Sequence, residues 1–264
     1  MLRIFYVTIT YNAAKVLQRT LDSVLSQDYP HIVHLIIDGA STDDTLLLVN
    51  DLERSNAAEN GHLVQVTSEP DKGIYDAMNK GLRSLERLRV GASAGNGDYV
   101  CFLNAGDFLP SSDTVTRIVE KVRSALPAVL YGDTDIVDGE GRFLHHRRLA
   151  PPEQLSWKSF RQGMLVCHQA FYARTDYAIA TPYDLHYRYS ADVDWCIRVM
   201  KAAAKENVPL FNLKMVVACY TQEGQTTLHH RESLLERYHV MEHHYGRLQT
   251  FFLHCWFALR SLLK

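Results

Sequence analysis

Hydrophobic and polar positions along the chain repeat with two different periods. RIFYVTI, residues 3 to 9, is rich in β-branched and aromatic types and predicts a strand, closed by the polar turn Thr10 to Asn12. From Ala13 to Gln27 the apolar positions Val16, Leu17, Leu21, Val24 and Leu25 recur at helical spacing, so an amphipathic helix follows. HLIIDG, residues 34 to 39, is apolar on both faces and reads as a buried parallel strand ending at Asp38. Ser41 to Thr45 offers several N-caps for a helix over residues 46 to 54. HLVQVTS predicts a third strand, Ile74 to Leu88 a third helix and DYVCFLN a fourth strand. Strand and helix in alternation, with short connections, predict an α/β fold: a mainly parallel central sheet of Rossmann-like type, flanked by helices and joined by right-handed crossovers.

Beyond Pro110 the alternation loosens. A helix over residues 114 to 124, a strand at AVLYGD, a hairpin-like turn around Gly139 and Gly141, a helix over residues 192 to 205 and a helical region from Arg231 onward predict a mixed second half. No repeat or long linker divides the chain.

In an open α/β sheet, ligands bind beyond the carboxyl ends of the strands. Polar clusters stand at each of those ends: Thr8 to Asn12, Asp38 with Ser41 to Asp44, Asp71 to Asp76, and Asn104 to Asp107. Taken singly, Asp38-Gly39 and Gly106-Asp107 read as turn residues; four clusters in register predict a site. Neither GxGxxG nor GxxxxGK[ST] occurs in the expected place, so the usual phosphate cradles are absent. Acidic side chains repel a diphosphate unless a divalent cation, Mg2+ or Mn2+, lies between them, and Asp107 is the natural bridging ligand.

Composition narrows the partners. A formal net charge of -2 over 264 residues gives no global field to gather nucleic acid. Five widely spaced cysteines predict neither a disulfide framework nor a zinc knuckle, and the N-terminus reads as a strand rather than a signal peptide, so a cytoplasmic setting is expected. His239 with His243 at i, i+4 lacks a third ligand and reads as surface. FFLHCWFALRSLLK at the C-terminus suits a helix lying on the inner face of a membrane and equally a helix docked on its own domain.

VTITYN, LIIDGASTDDT, SEPDKGIYDAMNKG and FLNAGD together resemble the successive nucleotide-binding motifs of inverting glycosyltransferase family 2, which has the GT-A fold. The resemblance is specific over residues 1 to 110 and fainter through CHQAFY and SADVDWCIRV. It implies a GT-A domain over residues 1–220, divided into a nucleotide-sugar-binding half (1–110) and an acceptor-side half (111–220), with a C-terminal helical extension over 221–264. Thr8, Thr10 and Tyr11 match the segment around the donor base and ribose, and Asp38 matches the acid that bonds the base. Asp71, Lys72, Asp76 and Asn79 match donor-binding positions, as do Asn104, Ala105 and Gly106. Asp107 matches the last acid of a metal-binding DxD-type motif, whose usual acids at 104 and 106 are replaced here by Asn and Gly.

An acceptor hydroxyl needs a base, and the resemblance assigns Asp192, at the start of a helix, with Asp194 as the alternative. His168 and Gln169 match the acceptor side, although they read equally well as a satisfied core pair. EGQTT, residues 223 to 227, matches a small-residue loop near the diphosphate. The expected function is transfer of a sugar, with inversion, from a nucleoside-diphosphate donor such as a UDP-sugar to a glycan or lipid-linked acceptor in surface-polysaccharide synthesis. A sugar nucleotidyltransferase and a non-catalytic nucleotide-sugar-binding protein remain as alternatives; the former normally carries a glycine- and arginine-rich loop that TYNAAK lacks.

Overall fold

The computed structural model describes residues 2–55, 61–91, 97–122, 126–222 and 230–262. Strand β1 (Ile4–Thr10) is buried along all seven residues, as a strand apolar on both faces must be when flanked on both edges and covered on both sides. It pairs in parallel with β2 (Ile32–Asp38) and β4 (Tyr99–Phe102), and β2 pairs in parallel with β3 (Leu63–Ser68). The register sets Thr10 opposite Asp38 and Asp38 opposite Ser68, so three strands end at one level.

Helices α1 (Ala14–Leu25), α2 (Thr45–Ser55) and α3 (Ile74–Gly91) make the crossovers, and α4 (Thr114–Val122) leads into the second half. There the sheet turns antiparallel: β7 (Phe171–Arg174) lies between β4 and β5 (Val129–Val137), and β5 pairs with β6 (Phe143–His146) in the hairpin expected near Gly139. The long strand β8 (Leu210–Thr221) joins β5 in parallel. Neither β7 nor β8 is evident in the sequence pattern. β7 has four residues, and β8 is interrupted by Lys214 at φ +50, where the register slips and the period of two is lost.

Helices α5 (Thr175–Ala180) and α6 (Ala191–Lys205) follow, and the C-terminal helical region breaks at Gly246, φ +86, into α7 (His230–Tyr245) and α8 (Arg247–Leu262). No helix among the described residues is long and apolar enough to cross a membrane. On α8, Leu248, Phe251, Phe252, Trp256 and Leu259 are exposed rather than docked on the domain.

Gly81 fixes how closely α3 lies on the sheet. A Cβ there would fall 2.5 Å from Cγ1 of Val7, a fully buried β1 side chain. Gly81→Ala gains about 1 kcal/mol of helix propensity, but the overlap costs about 1–3 kcal/mol in a close-packed core. The variant is therefore expected to be destabilised, with a lower urea midpoint; an unchanged or higher midpoint would show that α3 is free to move away from β1.

Candidate active site

The rim begins where the first two crossover loops lace together. Asn12, at φ +48, donates its amide to Ser41 Oγ (2.8 Å) and accepts the Thr42 amide at Oδ1 (2.9 Å). Asp38 lies beneath this lacing, fully buried, accepting from the Ser41 amide (2.9 Å) and from the hydroxyls of Ser41 (2.5 Å) and Ser68 (2.7 Å). Its carboxylate is the peg that holds the ends of β2 and β3 together.

Thr8 also faces inward, bonded to His34 Nε2 at 2.8 Å. Burial pushes the His34 imidazole down to about 3, so it stays neutral. Thr10 is buried, and its Oγ1 has no partner among the described residues. Tyr11 is open to solvent, with its ring beside Gly39: a Cβ at residue 39 would lie 3.3 Å from Tyr11 Cδ2 and 2.5 Å from Asp71 Oδ2. Tyr11 and Asp71 thus pack directly against the Gly39 backbone, leaving no room for a side chain at 39.

The third loop is shaped by its own acids. Asp71 accepts the Gly73 amide (2.8 Å), and Asp76 reaches back to the Lys72 amide (3.0 Å), with Gly73 at φ +111 making the bend. The Lys72 side chain is exposed. Asn79 is a clamp: its Nδ2 donates to the Tyr183 carbonyl (2.9 Å) and its Oδ1 accepts the Tyr183 amide (2.8 Å). Lys80, unremarked in the sequence, is buried; it donates to the Pro70 carbonyl (2.6 Å) and pairs with Glu69 at 3.1 Å, pinning the loop from below.

NAGD is a tight turn in which the Asp107 amide donates to the Asn104 carbonyl (3.0 Å) and Gly106 takes φ +98, the left-handed position that favours glycine. That explains a glycine where the family pattern has an acid. Ala105 packs against the small cluster of Leu17, Leu21 and Ile36. Asn104 is half-exposed, and its Oδ1 lacks a partner among the described residues.

Asp107, the expected cation ligand, is turned inward. Its Oδ1 accepts the Thr221 amide (3.0 Å) delivered by β8, its Oδ2 accepts Gln169 Nε2 (2.6 Å), and the residue is 4% exposed. Burial pushes its carboxyl up to about 7, against the opposing pull of Thr221 and Gln169. Among the described residues no three His, Cys, Asp or Glu side chains gather so as to hold a metal ion. Asp107 reaches a cation only by sharing or giving up its two partners.

Glycosyl transferase family 2 matches residues 6–180 of the chain. The chain belongs to this family. A PGL/p-HBAD biosynthesis glycosyltransferase of Mycobacterium tuberculosis is 31% identical over 217 residues, which cover 81% of this chain and 75% of that protein. The putative teichuronic acid biosynthesis glycosyltransferase TuaG of Bacillus subtilis is 35% identical over 101 residues, 38% of this chain and 34% of that protein. Among solved structures, TarS 1-349 of S. aureus in complex with UDP matches with a TM-score of 0.64 at 16% identity, covering 91% of this chain. This chain spans 64% of the length of that TarS fragment. Glucosyl-3-phosphoglycerate synthase of Mycobacterium tuberculosis, with Mn2+ and UDP, matches at TM-score 0.57 and 14% identity, covering 91% of this chain and 79% of that one. The chain is thus a glycosyltransferase with the GT-A fold, a mainly parallel sheet flanked by helices.

In this family 2 transferase the two candidate bases differ sharply in setting. Asp192, in the first turn of α6, is half-exposed and accepts the Tyr75 phenol at 3.1 Å. Asp194 is buried between Arg198 (2.6 Å) and His244 Nε2 (2.8 Å); burial pushes its carboxyl up, but those two partners outweigh it and hold it low. Tyr75 is a site residue the motif reading did not single out, although it lies inside DKGIYDAMNKG; only the fold brings it to a residue far along the chain. It stacks on Tyr183 (5.7 Å), which stacks on Trp195 (4.9 Å), so an aromatic column seats α6 over α3 and β4.

His168 opens a short 3-10 turn (His168–Ala170), is nearly buried and has Nε2 without a partner among the described residues. Burial lowers its imidazole below the usual range while the charge of Asp192 opposes, so a neutral ring stands near Asp192. Gln169 is committed to Asp107 and to the Cys167 thiol (2.7 Å), not to an open surface. EGQTT lies outside the described residues.

The buried Asp107 carboxyl generates a pH test. A carboxyl whose folded value is raised from 3.8 to about 7 contributes stability that is complete below pH 3.8 and is lost as pH rises through about 7. At about 1.4 kcal/mol per unit the span is a few kcal/mol. Wild-type protein should therefore weaken relative to Asp107→Asn on going from pH 5 to pH 8, as read by paired urea unfolding curves. A difference that stays constant over that range would contradict a buried, proton-bearing Asp107.

Proposed function

We propose that this chain transfers a sugar, with inversion at the anomeric carbon, from a nucleoside-diphosphate donor, a UDP-sugar foremost, to a hydroxyl of a glycan or lipid-linked acceptor in bacterial surface-glycan synthesis. The observation that carries the reading is Asp192: the one half-exposed carboxylate of α6's first turn, held by Tyr75 across from the strand ends, while its neighbour Asp194 is locked in a buried ion network. Support for the donor comes from the UDP bound to TarS and to glucosyl-3-phosphoglycerate synthase, and for the acceptor class from the PGL/p-HBAD and teichuronic acid biosynthesis for which the relatives are named.

In this reading the exposed Tyr11 ring and Asp71, beside Gly39, face the base and ribose of the donor. Asp76 and Lys72 shape the loop beneath the sugar and diphosphate. Asp192 accepts the acceptor hydroxyl proton as that oxygen bonds to the anomeric carbon, and the bond from carbon to diphosphate oxygen breaks, its electron pair leaving with the nucleoside diphosphate. Neutral His168 near the reacting face donates or accepts a hydrogen bond without adding charge. Mn2+ accompanies the nucleotide in two of the structural neighbours; here a divalent cation, Mn2+ or Mg2+, would arrive with the donor diphosphate, and no step is assigned to it.

The exposed apolar stripe of α8 supports peripheral contact with the inner face of the membrane. Residues 247 to 262 contain two arginines and no acid, which suits an anionic lipid surface. Replacing Phe252 and Trp256 together by Ser is expected to release the protein from phosphatidylglycerol-containing vesicles in a flotation assay; equal flotation of both proteins would remove the membrane role of α8.

A panel of nucleotide sugars, incubated with the protein and Mn2+ and read by release of nucleoside diphosphate, tests the activity. Asp192→Asn should lower turnover by at least about 10²-fold while UDP affinity stays within about twofold. Normal turnover by that variant would defeat the base assignment, and pyrophosphate release from a nucleoside triphosphate would favour a nucleotidyltransferase instead.

A further inference from the structure

Glu236 lies on α7, in the part of the chain beyond the strands, yet it makes its contacts at the entrance to α6. Its Oε1 accepts the Arg188 amide (2.6 Å), and its Oε2 accepts the amides of both Tyr189 and Ser190 (2.6 Å each). Three consecutive N–H groups converge on one carboxylate, an anion-binding nest already filled by the protein's own side chain. Among the described residues no Lys, Arg or His pairs with Glu236, so these three donors are what balances its charge.

The nest ends two residues before Asp192. Ser190 is the N-cap residue of α6 but makes no side-chain cap bond within the helix; its Oγ donates instead to the Ser233 carbonyl of α7 (3.2 Å). Two residues after Asp192, Asp194 accepts His244 Nε2 of the same helix (2.8 Å), whose Nδ1 receives the Lys201 ammonium (2.9 Å). Helix α7 thus holds the backbone before Asp192 and the Asp194 carboxylate after it, while the Asp192 side chain itself is left to Tyr75.

We propose that Glu236 is a positioning residue for transfer: from α7 it fixes the Arg188–Ser190 backbone and so holds the Asp192 carboxylate at the angle the acceptor hydroxyl requires. The C-terminal helices are then part of the catalytic apparatus rather than an appendage. The inference rests on Asp192 being the base and adds a residue that touches neither substrate. A charged carboxylate is needed because three donors at one point satisfy two oxygens bearing a full negative charge better than a neutral amide, whose NH2 would meet N–H groups head-on.

The test uses the full chain. Glu236→Ala is expected to lower kcat on the order of tenfold to hundredfold, since small misplacement of a base has effects of that size, while donor KM and UDP affinity stay within about twofold. Acetate at tens of millimolar should restore part of the turnover of Glu236→Ala and none of that of Asp192→Asn. The double variant Asp192→Asn with Glu236→Ala should turn over no more slowly than Asp192→Asn alone, because Glu236 has nothing left to position. If Glu236→Ala melts below the assay temperature, the isosteric Glu236→Gln carries the same comparison. Wild-type kcat in a folded Glu236 variant, equal losses in kcat and UDP affinity, or a multiplicative loss in the double variant would each overturn the proposal alone. Normal turnover by Asp192→Asn would overturn the base assignment, and this inference with it.

Discussion

Everything at the site depends on the pairing of β1 with both of its neighbours. A strand buried along its whole length has no face to spare for solvent, so its hydrogen bonds to β2 and β4 fix the heights at which those strands end. Thr10, Asp38 and Ser68 therefore finish side by side, and the loops that follow have one rim on which to converge. A slip of one residue would exchange the side chains packed on the two faces and take Thr10, Asp38 and Ser68 out of line.

The rim is built in two tiers. Acids facing inward, Asp38 and Asp107, accept amide and hydroxyl donors and hold loops that would otherwise lack partners. Tyr11, Asp71 and Asp192 are left at least partly open at the rim. An acid-rich motif thus divides its labour: a buried carboxylate with full hydrogen bonding stiffens a turn, and its exposed neighbour keeps its chemistry. The same division separates Asp194 from Asp192 on α6, where one turn of helix sends alternate acids to opposite fates.

The second half serves the first. β8 brings Thr221 to Asp107 and bonds Phe108 through Cys219, while Tyr183 and Trp195 stack beneath the start of α6 and Asn79 clamps the Tyr183 backbone. The Asp107–Thr221, Phe108–Cys219 and Asn79–Tyr183 contacts join positions more than a hundred residues apart, so the rim is assembled by packing rather than by any one segment.

The sequence by itself determined the alternation of strands and helices through β4, the polar ends of those strands and the family motifs, because each is written in local period and short spacing. It carried α6 and the hairpin after β5 for the same reason. Local pattern did not reveal β7, too short for a period, or β8, whose alternation breaks at Lys214, or the division of the C-terminal helix at Gly246. Only the tertiary structure decided which acids turn inward. Asp38 and Asp107 differ from Asp71 and Asp192 in the donors that distant strands and loops bring to them, and Asp192 differs from Asp194 in what α3 and α7 place beside each. Those partners are set by packing, which short spacing does not encode.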